Sequence, residues 1–415
     1  MFEGCFGYRR SEFRVEDAPA RLIAERFGTP AYIYSESYLA GRIRALTHAF
    51  APLSPRICYS IKANSNLAIL KIMKRAGLCA DIVSLGEMER ALTAGFQPSD
   101  LVFAGVGKAP EEIEAGVARG IFCFNVENEA ELGVIERYGR KFGRDVACNL
   151  RLNLDIDIDT HHYIKTSRHE TKFGIDLAAA RKILAGRRKY RRAKIRGFDF
   201  HLGSQIKEQS AYVKAVEMIA AFSRETGFAP EMFDLGGGFG IRYAPSDKVA
   251  DIAVFGAKIG AALTKLPSVT TVILEPGRFL VGNAAVLLTR VLYVKERTGK
   301  RFVIVDAAMN DLIRPSLYGS SHAILPVRKT AGRAVVADVV GPICESGDYL
   351  GKDVRFASMP KPGDLLVVAS AGAYGFSMAS NYNSRRRPCE VLVNGNRLRL
   401  IRKREEFEDL WRGEL

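Results

Sequence analysis

Three short stretches carry residue types suited to covalent chemistry, and each sits where an apolar run stops. Tyr59-Ser60-Ile61-Lys62-Ala63-Asn64 closes a run that begins at Ile57, and a helical pattern over 67–76 follows at once. A lysine at the end of a buried strand is poorly solvated, so its amine is expected to titrate low and to attack carbonyl carbons. Asp234-Leu235-Gly236-Gly237-Gly238-Phe239-Gly240 offers backbone amides that can close on an anion, since glycine permits both the tight turn and the close approach. Glu275-Pro276-Gly277-Arg278 follows the apolar Val272-Ile273-Leu274. A carboxylate there must be paired or protonated, because an unpaired buried charge is costly. Arg278 is one partner for Glu275, and the nitrogen of a protonated pyridine ring is another. His201, in Phe200-His201-Leu202-Gly203-Ser204-Gln205, is either a satisfied core histidine or a flat ring that stacks on a flat cofactor.

Taken singly, each residue has an ordinary explanation; their placement argues for more. From Ile57 onward, short apolar runs alternate with amphipathic helical segments, the pattern of a parallel β/α fold. The runs begin at Ile57, Cys79, Leu101, Ile121, Val146, Ile195, Met232 and Val272. Helical segments fall at 85–95, 110–120, 128–143, 177–186, 211–227 and 249–266, and many close on glycine, the usual residue just past a helix C-terminus. Eight such units over roughly 220 residues match a (β/α)8 barrel, with a doubly wound open sheet as the competing solution. Barrels carry their chemistry at the C-terminal ends of the strands. Lys62 closes the first run, Asp81 and Ser84 the second, His201 the sixth, Gly236 to Gly238 the seventh and Glu275 the eighth. That coincidence selects the barrel, and the set describes an enzyme that holds pyridoxal phosphate as a Schiff base on Lys62.

After about Val286 the helical rhythm stops. Runs at 285–295, 302–306, 334–340, 365–369 and 390–393 are rich in β-branched residues, and Asn394-Gly395 before 397–401 is a hairpin signal. The expected architecture is α/β: a cofactor-binding barrel over 30–285, with a C-terminal antiparallel β domain formed by 286–415 together with 1–29.

With 415 residues, 47% of them hydrophobic, the chain can bury one large core and a second, smaller one. The N-terminus has no apolar signal segment, and the apolar run at 281–294 is too short to span a bilayer and is broken by Arg290. A soluble protein without membrane association is expected. Seven cysteines at scattered spacing form no CxxC pair and no disulfide framework, which fits a reducing cytoplasm; no metal site is expected. The net charge of +15 concentrates at Arg187-Arg188-Lys189-Tyr190-Arg191-Arg192, with Lys194 and Arg196 beyond. No nucleic-acid docking motif accompanies it, so a solvated face is expected, and the excess charge can steer an anionic substrate or cofactor.

The ordered segments resemble the pyridoxal-phosphate decarboxylases of the alanine racemase and ornithine decarboxylase fold, most closely those acting on diaminopimelate. The resemblance runs from about Thr29 to Val393. It is carried by Tyr59-Ser-Ile-Lys-Ala-Asn, Ala80-Asp-Ile-Val-Ser, Lys172-Phe-Gly, His201-Leu-Gly-Ser-Gln-Ile, Asp234-Leu-Gly-Gly-Gly, Glu275-Pro-Gly-Arg, Asn310-Asp-Leu-Ile-Arg-Pro, Gly341-Pro-Ile-Cys-Glu-Ser-Gly-Asp and Gly372-Ala-Tyr-Gly. It implies that Lys62 bonds the cofactor, His201 stacks on its ring, Glu275 meets the ring nitrogen and Asp81 joins the same site. Ser204, Gly236, Gly237, Gly238, Gly277, Arg278 and Tyr374 would lie near the phosphate. Arg278, Arg314, Tyr318, Glu345 and Tyr374 would bind substrate. Cys344 and Glu345 would enter from a second subunit, making the active unit a homodimer, with Cys344 as proton donor and Lys62 as the alternative.

The implied reaction is decarboxylation of meso-diaminopimelate to L-lysine and CO2, the last step of lysine biosynthesis. A carboxylate at the ring nitrogen suits decarboxylation, whereas racemases of this fold typically place an arginine there. Diaminopimelate has both an ammonium and a carboxylate at its distal end, and Glu345 with Arg314 and Arg278 would answer both. Ornithine, arginine or carboxynorspermidine as substrate, or a non-catalytic cofactor binder, are the alternatives. The chain departs from the family's frequent Arg-Pro-Arg-Pro pattern at Arg385-Arg386-Arg387-Pro388.

Overall fold

The apolar runs of the first half are buried on both faces, which is why they read as continuous stretches rather than as alternation. In a computed structural model, which describes residues 4–156, 172–244, 246–249 and 251–415, they form eight parallel strands. These are β1 (Arg56–Ser60), β2 (Cys79–Ile82), β3 (Leu101–Phe103), β4 (Cys123–Val126), β5 (Val146–Arg151), β6 (Ala193–Asp199), β7 (Met232–Asp234) and β8 (Thr271–Leu274). They close into a barrel, with β8 beside β1 and β5 beside β6. Each begins within two residues of its apolar run.

Side-chain caps fix where the following helices begin, and so fix the loops that leave the strand ends. Asn66 accepts from the Ala68 N–H at the start of α1 (Leu67–Arg75), and Ser84 from the Glu87 N–H at the start of α2 (Leu85–Thr93). Asn128 and Asp176 cap Glu129–Phe142 and Leu177–Ala185 in the same way. Each such cap is worth about 1 kcal/mol. Asp251 caps Ile252–Leu263, the observed form of the segment expected at 249–266; residue 250 lies outside the described residues.

Cys58, Val102, Cys123, Met232 and Ile273 form an apolar cluster inside the barrel. The C-terminal strand ends instead bury Asp81, Asn125, Asn149, Asp199, Asp234 and Glu275. Burying so many polar groups is unfavourable unless they are bonded or serve a ligand.

The chain divides into two compact units, one of Ile43–Gly240 and Lys248–Phe279, which holds the barrel, and one of Met1–Arg42, Ile241–Asp247 and Leu280–Leu415. In the second unit the long strand Ala285–Arg297 pairs antiparallel with Ala31–Ser35, Lys300–Val305 and Leu365–Val368. The antiparallel character expected holds for most pairings, but the sheet is mixed. Lys300–Val305 runs parallel to Val335–Val340, and Ala31–Ser35 parallel to Cys389–Asn394. The cause of the second exception is an N-terminal strand inserted between two strands from the C-terminal half. The buried Glu390 of that sheet is held by the Tyr34 hydroxyl at 2.7 Å and by Arg402, as a buried carboxylate requires.

Several side chains of the basic runs are paired on the surface. Lys189 meets Glu129 at 2.5 Å, Arg192 meets Asp145 at 3.0 Å and Arg196 meets Glu231 at 2.6 Å. Arg387 bonds Glu405, and Arg386 lies 3.3 Å from Glu406, so the run that departs from the family pattern is tied to the chain's own C-terminal acids. Among the described residues no helix is long and apolar enough to cross a membrane.

Candidate active site

β1 stops at Ser60, and the 3-10 turn Ile61–Ala63 carries Lys62. The Tyr59 hydroxyl donates to the Asn64 carbonyl at 2.9 Å and the Asn66 N–H to Asn64 Oδ1 at 3.0 Å, which holds this turn. Lys62 is therefore less enclosed than a residue within the strand would be: its side chain is 34% exposed. Its Nζ lies 3.2 Å from Asp81 Oδ2, which also accepts from the Ser60 hydroxyl at 2.7 Å. Asp81 Oδ1 is buried without a hydrogen-bond partner. A buried carboxylate thus holds the amine of a partly exposed side chain.

Glu275 follows β8 and is 4% exposed. Arg278 does not pair with it; Arg278 donates through Nε and Nη2 to the Ser204 hydroxyl at 3.1 and 2.9 Å. Asn125 on β4 instead donates from Nδ2 to Glu275 Oε1 at 3.0 Å and to Asp234 Oδ2 at 2.8 Å. Asp199 completes a trio of buried carboxylates whose nearest oxygens all lie within 4.8 Å of one another. Arg151 faces this trio, 3.8 Å from Asp199, but also bonds Glu127 at 2.5 Å. Burial, reinforced by the charges of Asp234 and Asp81, pushes the Glu275 carboxyl well above the usual carboxylate range. Burial and the Asp199 charge push Asp234 up to about 7. Burial and the Glu275 charge push the Asp199 carboxyl well up as well, so the trio holds protons more tightly than exposed carboxyls do.

The glycine run is required by close approach. A Cβ on Gly237 would lie 2.0 Å from the Glu275 carbonyl oxygen, and one on Gly238, at φ +89°, would lie 2.2 Å from the Gly203 carbonyl oxygen. The run thus locks the ends of β6, β7 and β8 together. Gly237→Ala is expected to cost about 3 kcal/mol or more of stability by overpacking, read by denaturant unfolding; an unchanged midpoint would contradict this packing. The Gly237 N–H makes a long bond, 3.3 Å, to His201 Nδ1. Burial and the charges of Arg151 and Lys62 hold the His201 imidazole well below its ordinary range, so the ring is neutral.

In the second unit, Arg314 is buried at the head of the short helix Arg314–Tyr318. Its guanidinium carbon lies 5.1 Å from the Tyr243 ring centre and 5.8 Å from that of Tyr318, and Nη2 donates to the Ser320 hydroxyl at 3.1 Å. Cys344 and Glu345 are exposed on a turn held by Ile343 N–H to Asp348 Oδ2 at 2.9 Å and by Cys344 N–H to Asn383 Oδ1 at 2.8 Å. The Ser316 hydroxyl donates to the Gly347 carbonyl at 2.7 Å, which joins helix and turn. Tyr374 holds a left-handed backbone, φ +55°, a strained state for a bulky residue.

The barrel unit thus gathers Lys62 with Asp81, Ser204 with Arg278, and His201 with the glycine run, while the second unit gathers Arg314 with Tyr318. Sequence reasoning did not single out Asn125, Asn149, Asp199 or Arg151 as site residues. The available signal was polar residues within apolar strands: Asn125 in Cys123–Val126, and Asn149 and Arg151 in Val146–Arg151.

Residues 37–282 match the family model described as "Pyridoxal-dependent decarboxylase, pyridoxal binding domain". The chain is 46% identical to a diaminopimelate decarboxylase of Neisseria meningitidis, over 96% of this chain and 98% of that one. Among solved structures, diaminopimelate decarboxylase from Helicobacter pylori complexed with L-lysine superimposes with a TM-score of 0.89 at 38% identity, covering 95% of this chain and 98% of that one. The diaminopimelate decarboxylase of M. jannaschii, in co-complex with L-lysine, gives a TM-score of 0.94 at 31% identity, covering 100% and 99%.

Proposed function

The chain belongs to the diaminopimelate decarboxylases, within the pyridoxal-dependent decarboxylases, and from that premise we propose how its own residues divide the work. The reaction is the decarboxylation of diaminopimelate to lysine, a step of lysine biosynthesis, and the cofactor is pyridoxal phosphate. The barrel residues fit that cofactor. Lys62 supplies an amine on a partly exposed side chain, Asp81 Oδ1 is a buried acceptor without a partner, and the Asp199, Asp234 and Glu275 trio suits a cationic ring N–H. Ser204 and Arg278 form a hydroxyl–guanidinium pair suited to a phosphate.

When bound, pyridoxal phosphate supplies the electron sink that receives the pair left behind as CO2 departs. Lys62 is the residue that would hold the cofactor through its amine, and Asp81 orients that amine at the barrel mouth. His201 presents a neutral flat face, so it adds no positive charge of its own beside the ring. Glu275 acts as a carboxylate at the ring nitrogen. Ser204, Gly236, Gly237, Gly238, Gly277, Arg278 and Tyr374 hold the phosphate. Arg278, Arg314, Tyr318 and Tyr374 bind substrate carboxylates, and Glu345 the distal ammonium. The Cys344 thiol donates the proton that replaces CO2.

Cys344 and Glu345 act in the site of a second copy of the chain, so the working unit is a homodimer. Their exposure on a well-anchored turn supports that reading. Seven free thiols and a biosynthetic reaction support a cytoplasmic enzyme acting on a small amino acid rather than on nucleic acid or membrane.

The observation that carries the assignment is the convergence of Lys62, Asp81 and Glu275 on the C-terminal strand ends of one barrel. Two experiments test it. Arg314→Ala and Glu345→Ala are expected to raise KM for diaminopimelate at least tenfold while cofactor affinity changes less than twofold; equal losses of both would contradict these roles. Mixing Lys62→Ala with Cys344→Ala subunits is expected to restore part of the activity that each variant lacks alone, and a mixture as inactive as its components would refute the shared site.

A further inference from the structure

The Glu275 carboxyl does not set its protonation state alone. Asn125 Nδ2 donates to Glu275 Oε1 and to Asp234 Oδ2, so one amide nitrogen holds both acids. The orientation of that amide is set by the neighbouring strand. Asn149 Nδ2 donates to Asn125 Oδ1 at 3.1 Å, and the two asparagines stand opposite each other in the β4–β5 register. Asp234 Oδ1 accepts the Gly236 N–H at 2.9 Å. All four side chains are buried.

The charged groups facing this pair come from several elements: Asp199 from β6, Asp81 from β2, Arg151 from β5 and Lys62 from the turn after β1. The two cations are already engaged, Arg151 with Glu127 and Lys62 with Asp81. A second negative charge on the pair would have to share both cations with other carboxylates. Buried acids this close ionise one after the other.

Resting on the assignment of Glu275 to the ring nitrogen, we infer that Asp234 and Asn125 are positioning residues of opposite effect: Asp234 keeps one proton on the Glu275–Asp234 pair, and Asn125, by donating to both acids, favours its delivery to the ring nitrogen as the cofactor binds. The carboxyl O–H bond breaks and its electrons stay on the carboxylate, while the nitrogen lone pair forms the new N–H bond. The strong partner of the ring is thereby created only on binding, and the apoprotein carries one buried charge fewer.

The test is cofactor affinity of the apoprotein as a function of pH, read by absorbance and by quenching of protein fluorescence, for the wild type, Asp234→Asn and Asn125→Leu. Wild-type affinity is expected to fall on the alkaline side as the pair loses its proton. Asp234→Asn removes the neighbouring negative charge that retains the proton, so the fall moves to lower pH by about one unit. Asn125→Leu removes the donor that stabilises the charged form, so the fall moves to higher pH by about one unit. A purely structural role would weaken binding equally at every pH. Asp234→Asn is nearly isosteric and carries the test alone should Asn125→Leu unfold, which thermal denaturation reports. Alkaline limbs that coincide with the wild type would overturn the inference and leave the cofactor assignment standing. A wild-type apoprotein that binds no pyridoxal phosphate at any pH would overturn the assignment and the inference together.

Discussion

Lys62→Ala is expected to lower turnover at least a thousandfold and to abolish the visible absorbance of the lysine-bound cofactor. Lys62 sits on a turn at the barrel mouth, and its amine is directed by a carboxylate that is itself bonded to Ser60. Alanine removes the covalent attachment and the amine that must be regained after each cycle. The groups proposed for the phosphate, Ser204, Arg278 and the glycine run, are untouched, so cofactor should still bind but be removable by dialysis. Retained turnover with the absorbance gone would contradict the role given to Lys62.

Glu275→Gln is the second large effect. Glutamine keeps the shape and leaves an oxygen to accept from Asn125, but it cannot hold a positive ring nitrogen. A fall in kcat of about a hundredfold to a thousandfold is expected, with KM for diaminopimelate changing far less, because the lost interaction is strongest as charge develops. The effect on the apoprotein has the opposite sign. Glu275 and Asp234 titrate higher when folded than when unfolded, so between about pH 4 and the folded values the folded state binds more protons, and stability falls as pH rises. For Asp234 this window reaches to about 7. Removing one acid removes part of that slope, so the apo variant is expected to be more stable than wild type at pH 8 while being much slower when loaded. A loaded variant with wild-type kcat would refute the ring-nitrogen role of Glu275.

The barrel was legible because parallel strands covered on both faces leave unbroken apolar runs, and because glycines such as Gly143 mark helix C-termini. Lys62, His201, Gly237 and Glu275 stood out because each interrupts an apolar pattern where a strand should end. Partner choice was not legible. The pairing of Ala31–Ser35 with Cys389–Asn394 joins segments more than three hundred residues apart, and local pattern carries no information on it. The exchange of Arg278 for Asn125 as the partner of Glu275 has the same origin: Arg278 is three residues away in sequence, whereas Asn125 arrives from across the barrel. Buried asparagines are quiet in a sequence because they look like single polar interruptions of a strand.

The most direct measurement of the central claim is product analysis with the cofactor-loaded protein. Incubated separately with meso-diaminopimelate, ornithine and arginine, it is expected to release CO2 from diaminopimelate alone, with lysine formed in equal amount. Release of CO2 from ornithine or arginine, with none from diaminopimelate, would contradict the assignment of Arg314 and Glu345 to the distal end of the substrate and the activity built on it.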